Sequence, residues 1–235
     1  MTNELAGYVA AVAVADNELA VAITGRFAAA GSNVRRISVP EERSSDPGRQ
    51  EFQQIIADLA AAAGRLDIWV QDAHPDAPGP VADFDAHAWQ NSLTRGMGTA
   101  FAGTQAAGRV MQSQGRGAIV LVTSVDGLLA SAGRSVACCG AAAIMMLTRV
   151  LASEWAAYGV RVNALASTTW LAPPLEAGDV ELTAAGISAS RIPVGRSPKA
   201  AEVAEAAFYL ASPQASFVTG EILRVDGGWA GYHLF

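Results

Sequence analysis

The chain has 235 residues, a formal net charge of −6 and a sequence pI near 5.0. An acidic balance of this kind disfavours nucleic acid as a partner. Hydrophobic residues make up 51% of the chain, enough for one α/β domain with a buried core. The apolar runs are interrupted by charged or polar residues, so no membrane span is expected.

Strands are predicted near 8–14, 33–39, 66–71, 117–123, 159–166 and 221–225, and helices near 17–30, 49–63, 84–113, 134–157, 174–186 and 200–211. The opening Met1-Thr2-Asn3-Glu4 lacks a basic stretch before an apolar one, so no signal peptide is expected. After the first strand, Asp16 and Asn17 are placed to cap the first helix. The segment from Pro40 to Gly48 reads as a loop between the second strand and the second helix. Strict alternation of strand and helix predicts a parallel sheet covered on both faces, in a single domain spanning 1–235. The adjacent Cys138 and Cys139 suit a reducing cytoplasm.

Several motifs then agree in order and spacing. They are Val122-Thr123-Ser124, Leu147-Thr148-Arg149, Glu154-Trp155 and Gly159-Val160-Arg161-Val162-Asn163-Ala164 in the middle of the chain. Towards the C-terminus come Arg191-Ile192-Pro193-Val194-Gly195-Arg196, Thr219-Gly220-Glu221 and Val225-Asp226-Gly227-Gly228. Together they resemble the short-chain dehydrogenase/reductase family over nearly the whole chain. The resemblance implies a Rossmann-like, doubly wound sheet in three layers α/β/α, and a dimer or tetramer built on the two long helices near 84–113 and 134–157.

The same register carries the family's chemical positions onto this chain. The catalytic serine falls on Ser124, the tyrosine on Ala137, the lysine one helical turn later on Ala141, and the structural asparagine on Gly96, with Trp89 and Phe101 fixing that last register. An alanine cannot move a proton, a service worth roughly 10²–10⁴ in rate. Ser124 alone can hold an oxyanion or serve as a strand-end hydroxyl satisfying local backbone, and without its partners the second reading is preferred. The glycines of the nucleotide turn fall on Val14, Glu18 and Ala20. A carboxylate about 4 Å from a phosphate charge is repelled by roughly 4 kcal/mol at an effective dielectric near 20. Ser38 stands where NAD-specific relatives carry an aspartate. Gln71-Asp72-Ala73-His74 replaces the family's Asn-Asn-Ala-Gly. No cofactor is therefore expected, and Arg35 and Arg36 are the residues open to a 2′-phosphate.

These substitutions lead to the expectation of a pseudoenzyme, a non-catalytic structural subunit pairing with an active dehydrogenase paralogue. The alternatives are a nucleotide-independent lyase, isomerase or cyclase, or a small-molecule binder using the same cavity. Their candidate groups are Ser124, His74, Asp72, Arg95, Arg134 and Cys138, including a Cys138 thiolate with His74 as its base. The halohydrin dehalogenases, which are similar to this family, need a tyrosine and an arginine that would again fall on Ala137 and Ala141. The loop from Thr169 to Pro174 stands where the family carries its substrate lid. His87 and His233 read as surface groups.

Overall fold

The computed structural model describes residues 3–15, 17–37, 47–74, 77–168 and 192–231. Its strands are β1 (Val9–Ala13), β2 (Asn33–Arg36), β3 (Ile68–Asp72), β4 (Gly117–Ser124), β5 (Val160–Ser167) and β6 (Ile222–Val225). Its long helices are α1 (Glu18–Ala29), α2 (Pro47–Ala63), α3 (Ala86–Gln114), α4 (Ser135–Trp155) and α5 (Ala200–Ala211). All pairings are parallel, in the order β2-β1-β3-β4-β5-β6. The six predicted strands are thus present, displaced by no more than a residue or two at most ends. One boundary differs. Pro47 and Gly48, read as loop, open α2 instead, because proline's fixed φ suits the first helical position and its missing N–H would be unpaired there anyway. The rest of the predicted loop, Ser38, the helix near 174–186, the loop 169–174 and His233 lie outside the described residues.

Alternation along the strands splits the core in two. Ile68 and Val70 of β3 and Val120 and Val122 of β4 face α1 and α5, where Leu19, Ile23, Phe27 and Phe208 complete the layer. Trp69 of β3 and Ile119 and Leu121 of β4 face α2, α3 and α4, with Phe52, Ile56, Met111 and Ile144. Edge-to-face ring pairs occur on both sides, Phe27 with Phe208 at 5.8 Å and Phe52 with Trp69 at 5.9 Å. Burial on both faces explains why β1 and β4 read as continuous apolar runs.

Helix α3 lies close on the sheet at a glycine. A methyl group on Gly103 would sit 2.5 Å from Gln71 Oε1 and 2.8 Å from the Trp69 ring. That contact holds Gln71, fully buried, in a closed network: it accepts from Trp69 Nε1 at 3.0 Å and donates to the Thr99 carbonyl at 2.9 Å. Helix α4 and the turn after it form a stretch, Ser135–Tyr158, long and apolar enough by composition to cross a membrane, with mean hydropathy 1.8. Half of that stretch is buried, with Ile144, Met145 and Leu151 in the core against β4 and β5, so it acts here as a flanking helix of the sheet. Arg149 and Glu154 interrupt this stretch, as expected of the apolar runs, and its burial is that of a core helix.

Chain direction fixes where a site can form. From β1 the chain goes outward to β2, then returns to the other side of β1 as β3. The C-terminal ends of β1 and β3 therefore flank a crevice that no crossover covers, the usual ligand position in an open parallel sheet. The end of β4 is next to it.

Candidate active site at the C-terminal rim

Two polar constellations stand on this rim. The first ends β4. Ser124 begins a 3-10 turn, Val125–Gly127, and its Oγ accepts from the Asp126 N–H at 3.1 Å while donating to Asp126 Oδ2 at 2.7 Å. Asp126 in turn accepts from Arg134 Nη2 at 2.8 Å and from Arg134 Nε at 3.4 Å. The carboxylate and guanidinium are 5% and 8% exposed, so this is a buried, hydrogen-bonded ion pair. Arg134 immediately precedes α4, so the pair ties the turn after β4 to the start of that helix. A hydrogen bond from Trp89 Nε1 to Ser135 Oγ at 3.1 Å brings the first turns of α3 alongside.

The second constellation ends β3. His74 Nδ1 contacts Asp72 Oδ1, and both side chains are mostly buried, at 14% and 15% exposure. The strands leave the sheet side by side. Asp72 pairs with Val122, the Ala73 N–H donates to the Val122 carbonyl at 2.9 Å, and the Thr123 hydroxyl donates to the Ala73 carbonyl at 3.1 Å. His74 and Ser124 are the next residues out on adjacent strands. In the neutral imidazole, a carboxylate on Nδ1 favours the proton on that nitrogen.

The predicted positions on the helices are different in kind. Ala137 and Ala141 are 3% and 1% exposed on the inner side of α4. The backbone of α4 at Ala141 and Ala142 lies so near Gly127 that a methyl group there would stand 2.7 Å away. Gly96 is half-buried on α3, Arg95 is exposed, His87 is exposed as expected, and Cys138 is a half-buried free thiol. Asp126 was not among the sequence candidates. Its signal was the Ser-x-Asp spacing at a strand end, which reads as a local turn cap.

At the end of β1 the chain behaves as its sequence suggests. Asn17, extended at φ −145°, caps α1, its Oδ1 accepting from the Leu19 N–H at 3.0 Å and the Ala20 N–H at 3.2 Å. Asp16, the other predicted cap, lies outside the described residues. Glu18 is exposed in the first turn, while Val14, Leu19 and Ala20 are buried. The first amides of α1 are therefore already satisfied, and a carboxylate stands beside them. These residues do not fit a pyrophosphate set on this helix end. Arg35 and Arg36 are exposed at the end of β2, on the same rim.

Comparison with known proteins corrects the functional expectation. Residues 7–230 match a family model described as enoyl-(acyl carrier protein) reductase. The chain is 39% identical over 191 residues to a cis-4-hydroxycyclohexanecarboxylate dehydrogenase of Sinomonas cyclohexanicum, covering 79% of this chain and 74% of the relative. It is 32% identical over 247 aligned positions to an L-tagatose-forming galactitol 2-dehydrogenase of Cereibacter sphaeroides, covering 96% of each. Its fold is similar to the crystal structure of a gluconate 5-dehydrogenase from Burkholderia cenocepacia in complex with NADP and tartrate, with a TM-score of 0.82, 25% identity and 98% of each chain covered. Relatives named as dehydrogenases overturn the expectation of a non-catalytic structural subunit. Substitutions at a few positions remove particular contacts, whereas the identity runs through most of the chain. By the family match, the shared fold and the extent of these identities, the chain belongs to the short-chain dehydrogenase/reductase family.

Proposed function

We propose that this protein is an oxidoreductase interconverting a secondary alcohol and its ketone on a small polar ring or polyol. The reading is carried by the 39% identity to a dehydrogenase named for a hydroxycyclohexanecarboxylate, and is supported by the relative named for galactitol. Both named substrates bear secondary hydroxyls beside other oxygen functions. The aligned tyrosine and lysine positions hold Ala137 and Ala141, so the proton must be handled elsewhere. His74 is the group at the rim suited to it. Held by Asp72 at Nδ1, its imidazole would take up the hydroxyl proton as the carbinol carbon gives its hydride to a two-electron acceptor such as a nicotinamide dinucleotide, and would return the proton when hydride comes back in reduction, the imidazolium being stabilised by the adjacent carboxylate. Ser124 acts as a positioning residue. Its proton is committed to Asp126 and one lone pair to the Asp126 N–H, which leaves one acceptor site for a substrate hydroxyl.

Self-association through α3 and α4 belongs to the same proposal, favoured by Phe101, Met146 and Val150, which are 42%, 55% and 44% exposed on those helices. A cytoplasmic location is supported by the free thiols Cys138 and Cys139.

The test is turnover of a panel of alicyclic hydroxy acids and polyols by purified protein, offered NAD+, NADP+ or a dye acceptor in separate arms, with the ketone identified by mass spectrometry. Ketone formation in any arm supports the reading. Absence of ketone from every arm, with folded protein and in both reaction directions, contradicts it.

A further inference from the structure

A cavity of about 680 Å³ opens at the opposite end of the sheet, among the residues that precede the strands. Tyr8 stands before β1, Asp67 before β3 and Arg116 before β4, while Arg161 is the second residue of β5 and Pro213 and Phe217 belong to the link between α5 and β6. Strand β4 runs the full depth from Gly117, on the cavity wall, to Ser124. At about 3.3 Å per residue, that separates the cavity from the C-terminal rim by roughly 23 Å.

The charges in this cavity are unusual for an acidic chain. Asp67 is already satisfied: Arg65 donates to both its oxygens, at 2.5 and 2.6 Å, and the Val9 N–H adds a third bond at 2.9 Å. Arg116 approaches the same carboxylate only to 3.6 Å and is 60% exposed, so its guanidinium fork is largely available. Arg161 donates to the carbonyls of Leu210, Ala211, Ser212 and Val218, at 2.7 to 3.3 Å, and no carboxylate pairs with it among the described residues. The first three carbonyls terminate α5 or follow it directly, so the helix dipole offsets part of that charge. Burial nonetheless pushes the Arg161 guanidinium below its ordinary range. Around these groups the walls are mostly apolar, and Phe217 is fully exposed at the edge.

We infer that this cavity binds a small organic carboxylate, with Arg116 gripping the carboxylate, Arg161 supplying a fixed positive charge behind it, and Tyr8, Pro213 and Phe217 covering its apolar body. The size suits a ring-sized ligand. A planar guanidinium fork matches a carboxylate better than a neutral hydroxyl. Distance from the rim makes this a second site and not a part of the catalytic one.

Calorimetric titration of the whole protein with benzoate, and with benzyl alcohol as the uncharged counterpart, tests it. Benzoate is expected to bind one per chain and benzyl alcohol to give no saturable heat. Arg116→Ala should weaken benzoate at least about tenfold, the loss of one charge-assisted contact. Ser216→Trp, at an exposed cavity residue, should block it. His74→Gln should leave it intact, and Arg116→Ala should leave alcohol turnover unchanged, so the two sites stand or fall separately. Benzoate that does not bind at millimolar concentration, that binds Arg116→Ala as well as the native chain, or that is lost in His74→Gln overturns the inference.

Discussion

The ends of β3 and β4 each carry an aspartate beside a basic group, yet the two aspartates are in opposite circumstances. Asp126 faces Arg134, whose charge is permanent, and holds Ser124 with its remaining capacity. That pair is buried and hydrogen-bonded at both oxygens of the carboxylate. Asp72 faces His74, an imidazole with two ring nitrogens that can each donate or accept a hydrogen bond. The first constellation can shape a wall and the second can exchange a proton. A serine at the expected place is therefore not by itself a catalytic assignment, and the proposed proton transfer is placed at the end of β3.

Substitutions separate the two roles. The largest effect is expected from Asp126→Ala, which removes the carboxylate from a buried ion pair with Arg134. A loss of about 3–5 kcal/mol in urea unfolding is predicted for breaking one side of a buried pair, and a loss under about 1 kcal/mol would show that the turn is not held by charge. Ser124→Ala removes one bond to Asp126 and the cap of the turn, so about 1 kcal/mol is expected. If Ser124→Ala costs as much stability as Asp126→Ala, the serine and not the ion pair organises the wall.

Glu202, in the first turn of α5, provides a control for surface charge. The Arg196 guanidinium, and then the Lys199 N–H, hold its carboxyl at about 2. A depressed carboxylate contributes stability above its unfolded value and loses it as pH falls through the folded one. The contribution of this pair should therefore fade between about pH 4.5 and 2 and be unaffected near neutrality. Because Glu202 is 42% exposed, Glu202→Gln should cost only some tenths of a kcal/mol at pH 7, at most about 1. It should also flatten the acid limb of a stability–pH curve.

The layout was readable because long apolar strands alternating with amphipathic helices admit few arrangements. Val9–Ala13 and Gly117–Ser124 stand out as buried on both faces, and Asn17 declares the start of α1 by its side-chain chemistry. Pro47 was less legible, since proline marks a loop and a first helical turn alike. The site was readable in part. Ser124, His74, Asp72 and Arg134 were all candidates, but which of them touch is a matter of strand register and turn geometry. The pairing of Asp72 with Val122 decides that His74 emerges beside Ser124, and no local pattern states it. Asp126 went unnoticed because a Ser-x-Asp turn looks like ordinary capping until Arg134 is found beside it. The functional reading failed for a different reason. Ala137 and Ala141 show that one proton route is missing, but they do not show that the reaction is.

The account rests on His74 as the proton carrier. The most direct test is kcat for His74→Gln against the native protein on one alcohol, with folding verified by circular dichroism. A loss of about 100-fold or more is predicted, with KM within a few-fold, as removal of a general base requires. Turnover equal to the native protein would contradict it and return the proton to another group.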